Sequence, residues 1–510
     1  MIPKIKGITV KKTIGPWGWL LLACVLLGTF LRFQNLDKKS LWADELFTLS
    51  MAYHHPLWPE EGQPFFERKT IFDLKEGDTF LTAKAAEQSP PLNDLAEKLT
   101  VHLLGPGEWA ARLPAALSSV VLLCWFAAFA WMHADGYVQR VLGWATLLLA
   151  LSPILVLYAK DGRAYSMGAS LVGMAALLWM LRWRKGSESW QAPSWGECML
   201  WILACYSHYN AALIPILLLS FDAWQAVRSK SVQAWSKLLT VGGVFALWLW
   251  LNMHTIFFTT DGGVAWQGHG KNFSFESIVS SGMVVIDRYW LLTVCFILLG
   301  LLIFRVLNQA NVALNDFIWF KQVIFLWAVC TLFMLMAGAI VAKAGMMHPR
   351  YFIFMVPLGI TSMALVLSQM TSRWVVSIMI IVMIVAAIPS LEFARKLKNE
   401  DFRGASHLAL EGFGPHSALL YPWGPNERIY RIYLEKMAGP DIRHKMTAIS
   451  NKADAPLVCD KLSSFDHVAI VAHDSGRPLI DEVYHHCQRL WPVREHLQLH
   501  NVYAEHWRKP

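Results

Sequence analysis

Trp17-Gly18-Trp19-Leu20-Leu21-Leu22-Ala23-Cys24-Val25-Leu26-Leu27-Gly28-Thr29-Phe30-Leu31-Arg32-Phe33 is an apolar block closed by one arginine, and its reading sets the reading of the chain. A helix crossing hydrocarbon must satisfy its own backbone polar groups and needs roughly 20 apolar residues. Similar blocks recur at 110–131, 140–157, 164–181, 238–255, 289–307, 321–341, 351–368 and 374–390. The chain has 510 residues, 55% hydrophobic and 16% charged, and its apolar residues collect in these blocks. That pattern excludes an ordinary soluble domain. Lys4, Lys6, Lys11 and Lys12 precede the first block as in a signal peptide. There is no small-residue cleavage pattern, and further spans follow, so the block is read as an uncleaved first helix. The net charge of +8 lies largely between apolar blocks, where Lys and Arg fix orientation. No interleaving of basic and aromatic residues points to nucleic acid.

Short basic segments predict the topology. The N-terminal lysines, Arg182-Trp183-Arg184-Lys185, and Arg228, Lys230 and Lys237 are expected on the cytoplasmic side. The last two groups share a side only if Trp195 to Phe221 crosses an even number of times. Two short helices turning near Ser207-His208-Tyr209-Asn210 meet that condition. The fold class is thus an all-α polytopic membrane protein with about 11 transmembrane helices, N-terminus inside and C-terminus outside. Residues 1–390 are taken as the transmembrane domain, including an outer first loop, 34–109. Residues 391–510 are taken as a small outer α/β domain, with strands at Ser417–Tyr421 and His467–Ala472 and helices at Glu427–Met437 and Leu479–Leu490. Thr79–Gln88 and Leu92–Leu104 are expected to be short helices on the membrane surface. Most cysteines sit in or beside apolar blocks as small buried residues, and only Cys459 and Cys487, in the tail, are candidates for a disulfide.

Four stretches carry candidate chemistry. Just past the first span, Leu41-Trp42-Ala43-Asp44-Glu45-Leu46-Phe47-Thr48 places two acids outside the hydrocarbon. There a carboxylate acts with little water to screen it. Asp44 is the candidate general base and Glu45 its support or a metal ligand; on residue chemistry alone an acidic helix start is the simpler account of both. Tyr158-Ala159-Lys160-Asp161-Gly162-Arg163-Ala164-Tyr165 offers Lys160 and Arg163 to a phosphate, or a capped turn with snorkelling bases. Met347-His348-Pro349-Arg350-Tyr351 offers a second arginine, with Lys343 just before it. His208, His254 and His269 are weak candidates for a divalent metal, without metal-binding spacing. No nucleotide-binding loop and no dinucleotide fingerprint is present, which argues against an ATP-driven pump and a nucleotide-sugar enzyme.

Together these stretches resemble the GT-C superfamily of membrane glycosyltransferases, specifically the family 39-like proteins related to protein O-mannosyltransferases and the aminoarabinose transferase of lipid A. The resemblance covers roughly residues 1–405. It rests on Trp42 with Asp44-Glu45, Pro90-Pro91-Leu92, Trp109-Ala110-Ala111-Arg112-Leu113-Pro114, Arg163-Ala164-Tyr165, His208-Tyr209, Arg350-Tyr351 and Asn399-Glu400-Asp401-Phe402-Arg403-Gly404-Ala405. Many relatives carry His before the double proline, whereas this chain has Ser89.

The resemblance implies a glycosyltransferase of the bacterial inner membrane that takes sugar from a polyprenyl-phosphate-linked donor. The acceptor is an envelope lipid, polysaccharide or protein at the outer face. Asp44 and Glu45 are the expected catalytic residues; Lys160, Arg163, Arg350 and Tyr351 are expected to hold the lipid phosphate. Trp42, Tyr165, His208, Tyr209 and His348 are expected to line the donor and acceptor pocket. Some members use a divalent metal, for which Glu45, His208 and His254 are the candidates here; no other cofactor is implied. A transporter or flippase for a lipid-linked or anionic substrate is the competing reading, and an inactive glycan-binding scaffold a third.

Overall fold

The structure is a computed structural model. It describes residues 16–258 and 318–510, except 68, 70–73, 76, 88, 134, 184–190, 344–348, 369–373, 375–376, 379–380, 382–383, 386, 390, 393–399 and 423–426. The expected span 289–307, the loop from Thr259 to Arg288 with His269, the N-terminal lysines, Arg184, Lys185 and His348 lie outside the described residues. The chain divides into two compact units. One comprises residues 1–34, 87–93 and 114–396; the other comprises 35–86, 94–113 and 397–510. The sequence reading drew one boundary at 390 and kept residues 34–109 with the membrane part. By packing, most of that first loop belongs with the tail, because the two share one hydrophobic core.

The first unit is helical: α1 Pro16–Phe33, the greater part of α5 Glu108–Met132, α6 Gly136–Leu151, α7 Pro153–Tyr158, α8 Tyr165–Trp183, α9 Trp195–Ser207, α10 Leu213–Arg228 and α11 Val232–Phe258. Helices Ile318–Lys343 and Val356–Leu367 follow. Among the described residues, five helical stretches are long and apolar enough to cross a membrane: Glu108–Met132, Tyr165–Trp183, Tyr209–Arg228, Gln322–Ile340 and Arg350–Leu367. Trp17–Phe33, Gly136–Leu151 and Val232–Leu247 are shorter apolar helices. The chain is an integral membrane protein.

The expected span 140–157 is broken at Ser152. Its hydroxyl accepts from the Leu155 N–H at 3.4 Å, and Pro153, lacking an N–H, starts the next helix. The carbonyls freed at the end of α6 are taken by buried Arg32, which donates to Leu149 O at 2.8 Å, Ala150 O at 3.3 Å and the Ser119 hydroxyl at 2.6 Å. The arginine that closes the first apolar block is therefore a helix cap for another span.

The turn expected near His208 is present. Helix α9 ends at Ser207, a 3-10 turn runs Tyr209–Ala212, and α10 begins at Leu213. Direction follows from one buried cluster. Arg182, near the end of α8, pairs with Glu197 at 2.8 Å, at the start of α9, and with Asp222 at 2.7 Å, well along α10. Trp179 Nε1 also donates to Asp222 at 3.1 Å. The chain thus leaves this end at Glu197, turns at His208 and returns by Asp222. Arg182 is neutralised inside the protein and does not act as a free orienting charge.

The second unit is built on a five-stranded sheet of order β2-β1-β3-β5-β4. The strands are β1 Ser417–Pro422, β2 Met446–Ile449, β3 His467–His473, β4 Val493–Gln498 and β5 Val502–Arg508. Strand β1 pairs in parallel with β2 and β3; β5 runs antiparallel to β3 and β4. Side chains alternate between faces. Ala418, Leu420, Val468, Ile470, Tyr503 and Trp507 face helices Ala455–Leu462 and Arg477–Cys487, which a Cys459–Cys487 disulfide joins. Leu419, Tyr421, Ala469, Val471, Val502 and Ala504 share a core with helices Phe402–Ala409 and Glu427–Ala438. The same core takes in Leu41, Leu46, Leu49 and Ala52 from the first loop. Those last four belong to or adjoin α2, Ala43–His54. The first loop also contributes α3 Phe80–Glu87 and α4 Leu92–Leu104. Both expected strands and both expected helices of the tail are present; β2, β4 and β5 were not anticipated.

A histidine pair makes this sheet sensitive to acid. His467 Nε2 and His506 Nδ1 lie 2.8 Å apart; His467 also contacts the Ser417 hydroxyl at 3.1 Å, and His506 the Leu408 carbonyl at 3.0 Å. Burial, then the charges of His506 and Arg508, push the His467 pKa down to about 4; burial also lowers that of His506. A histidine whose folded pKa lies below its unfolded value of about 6.5 stabilises the fold above that pH and loses this contribution as pH falls toward the folded value. Hydrogen exchange of β3 and β5, corrected for the intrinsic pH effect, should therefore rise between about pH 6.5 and pH 4. The His467→Gln variant should show a flatter pH response.

Candidate functional site

In the first unit, three separate pieces of sequence meet at one end. The turn between α7 and α8 carries Lys160, Asp161 and Arg163, all half-buried, and Tyr165 opens α8. The turn between α9 and α10 carries His208. The 3-10 segment Pro349–Met355 carries Arg350 and Tyr351. The Tyr165 ring centre lies 5.2 Å from that of His208 and 6.1 Å from that of Tyr351; His208 and Tyr351 are also 6.1 Å apart. The Arg350 guanidinium lies 5.6 Å from the Tyr165 ring centre and 5.4 Å from that of Tyr351, in reach of both π faces. A glycine permits this convergence. One turn below Tyr165, a Cβ on Gly168 would lie 2.7 Å from Phe354 and 2.8 Å from the Ser207 hydroxyl.

His208 is the neutral member of the group. Its Nδ1 accepts the Asn210 N–H at 3.1 Å, which assigns the proton to Nε2. Burial, followed by the charges of Arg163 and Arg350, pushes its pKa down to about 3. Two fork-shaped guanidiniums, one set against aromatic faces, suit the oxygens of a phosphate. The Arg182–Glu197–Asp222 cluster sits toward the other end of α8, about 25 Å away along the helix axis, close to the thickness of hydrocarbon.

In the second unit, Asp44 and Glu45 occupy the first turn of α2, after Trp42. They do not share a role. Glu45 is fully buried and grips Arg112 with both oxygens, each at 2.7 Å. Its Oε2 also accepts the Trp42 N–H at 3.2 Å. Arg112 donates further to the carbonyls of Leu36 at 2.8 Å, Lys39 at 2.9 Å and Ser40 at 2.9 Å. Asp44 is half-buried, and its backbone carbonyl accepts the Thr48 hydroxyl at 3.1 Å. Glu45 is therefore a structural partner of Arg112, whereas Asp44 is half-buried in the same first turn.

The metal candidates fit poorly. Glu45 has both oxygens committed to a guanidinium, and His208 lies beside two arginines with Nδ1 already engaged. His254 lies on α11 with its side chain outside the described residues. Among the described residues, no three His, Cys, Asp or Glu side chains come together to hold a metal. Tyr209 opens the 3-10 turn, and Ser89, where relatives carry His, hydrogen-bonds Glu87.

Comparison with solved structures gives the fold. ArnT from Cupriavidus metallidurans bound to undecaprenyl phosphate superposes over 96% of this chain and 98% of that one, at 14% identity and a TM-score of 0.51. The chain has the GT-C fold. Also similar are apo ArnT from the same organism, at 13% identity, 96% and 97% coverage and a TM-score of 0.43. Archaeal AglB from Archaeoglobus fulgidus, in complex with an inhibitory peptide and a dolichol-phosphate, has 12% identity, 90% and 69% coverage and a TM-score of 0.43. No family model and no curated protein sequence matches the chain.

Within the GT-C fold, the sequence motifs fall into two sets. Arg163-Ala164-Tyr165, His208-Tyr209 and Arg350-Tyr351 gather in the helical unit; Trp42, Asp44-Glu45 and Arg112 gather in the sheet-bearing unit. Sequence reasoning missed the partner of Glu45, although Arg112 stood between Ala110-Ala111 and Leu113-Pro114. A lone guanidinium in such a run must be paired or carbonyl-bound when buried, and that was the available signal.

Proposed function

We propose that this protein transfers a sugar from a polyprenyl-phosphate-linked donor to an envelope acceptor at the outer face of the membrane. The observation that carries the reading is the convergence of Arg163 and Arg350 on neutral His208, Tyr165 and Tyr351 at one end of the helical unit. The ArnT of like fold is bound to undecaprenyl phosphate, the same ligand chemistry. In the proposed reaction an acceptor hydroxyl oxygen attacks the anomeric carbon and Asp44 takes its proton. The bond from that carbon to the phosphate oxygen breaks with inversion, and the departing lipid phosphate carries the electron pair. Arg163, Arg350 and Lys160 stabilise the charge that develops on it, and His208 Nε2–H adds an uncharged donor. No step runs through a metal.

The proposed topology has about 11 crossings with the C-terminus outside. The Cys459–Cys487 disulfide supports that side, since such bonds persist in oxidising compartments. Arg350 gives the test. Arg350→Ala should raise the donor KM by about tenfold or more, the cost of a lost hydrogen bond to a charged group, with a smaller effect on kcat. Arg350→Lys should recover only part of the loss, because an ammonium cannot fork or stack as a guanidinium does. An unchanged dependence of rate on donor concentration would count against the phosphate role.

A flippase reading gains one point: buried charges also lie at the other end of α8, and a transporter is expected to place functional polar groups near the midplane and at both faces. Arg182, Glu197 and Asp222 bind one another, however, and the pairing of α8, α9 and α10 explains their presence.

A further inference from the structure

Every residue from Leu36 to Ala43 has a backbone atom held by a side chain. Arg112 takes the carbonyls of Leu36, Lys39 and Ser40, and Glu45 the Trp42 N–H. The rest of the grip comes from the tail. Arg403 donates to the carbonyls of Asp37 at 3.1 Å and Lys38 at 2.7 Å, and its own N–H meets the Ser40 hydroxyl at 3.1 Å. The Tyr433 hydroxyl accepts the Leu41 N–H at 2.8 Å and donates to Glu108 at 2.9 Å. Glu400 Oε2 accepts the Ala43 N–H at 2.9 Å, across 357 positions of sequence. Its Oε1 lies 3.3 Å from His473 Nε2, at the end of β3.

The Ala43 contact matters most. Helix α2 starts after Trp42, and an indole has no oxygen with which to cap the exposed N–H groups of a first turn. A carboxylate is the group that position favours, by hydrogen bond and by the helix dipole. Glu400 supplies it from the tail, one residue before Asp44.

We propose that Glu400 is a positioning residue: by capping α2 from the tail it fixes the first turn and holds Asp44 in one orientation. The proposal rests on Asp44 as the general base. It makes the tail a working part of the reaction, since a misplacement of about 1 Å at a reacting group can cost on the order of a hundredfold in rate.

The test compares Glu400→Ala and Glu400→Gln in the full-length protein, by hydrogen exchange of the segment 40–46 and by transfer kinetics. Glu400→Ala should speed exchange and lower kcat by about tenfold or more, with the donor KM within about twofold. Glu400→Gln keeps an oxygen acceptor for the Ala43 N–H and should restore slow exchange and most of kcat. Unchanged exchange in Glu400→Ala overturns the proposal whatever the rates. A glutamine variant with slow exchange but the rate of the alanine variant also overturns it, because the charge and not the cap would then matter. Faster exchange in Glu400→Ala, reversed in Glu400→Gln, supports the cap even if Asp44→Asn proves fully active; that result would remove the base reading alone.

Discussion

Asp44→Asn is expected to lower sugar transfer by about a hundredfold to ten-thousandfold, the range that general base catalysis contributes, with the protein still folded and in the membrane. Asparagine matches aspartate in size and keeps the Asp44 backbone contact with Thr48, but its amide cannot take a proton from an acceptor hydroxyl. Donor binding should survive, because the groups proposed to hold the phosphate belong to the other unit. The variant should therefore bind polyprenyl phosphate like the parent and release almost no product. Near-normal turnover in a lipid-linked donor assay would remove Asp44 from the mechanism.

Arg112→Ala is expected to produce the largest loss of stability. It strips the partner from Glu45, which is fully buried, and removing one member of a buried ion pair costs about 3–5 kcal/mol. It also releases the carbonyls of Leu36, Lys39 and Ser40. The lost energy is chiefly that of a carboxylate left in a dry site, so the double variant Glu45→Leu with Arg112→Ala should recover part of it. Thermal unfolding of the four proteins in the same detergent measures the coupling directly. Additive losses would show that the pair is not coupled. Arg112→Lys should fall between, since a lysine cannot span a carboxylate and three carbonyls at once.

How much of this was legible depends on the physics of each element. The long apolar helices among the described residues were legible because hydrocarbon demands long apolar runs, and the turn at His208 because basic residues on either side of one run had to share a face. The meeting of Arg163, Tyr165, His208 and Arg350 at one end was legible once that turn was granted. The tail was half-legible. Buried β1 and β3 are apolar runs, whereas β5 carries Glu505 and His506 inside the fold. Glu505 is acceptable there because Arg494 donates to it at 3.0 and 2.8 Å, a partnership that pattern alone does not reveal. Strand β4 is a polar edge, and β2 has only four residues. The capture of the first loop by the tail was not legible. It arises from contacts such as Glu400 to Ala43 and Tyr433 to Leu41, whose partners are separated by several hundred positions and share no periodicity.

The central claim is that a lipid phosphate leaves as the sugar is transferred, and it is tested by following both halves of one donor. Purified protein in liposomes, given a polyprenyl-phosphate-linked sugar labelled in each half together with an envelope extract, should release free polyprenyl phosphate and form glycosylated acceptor in equal amounts. Movement of intact donor across the bilayer, with no covalent product, would contradict the account.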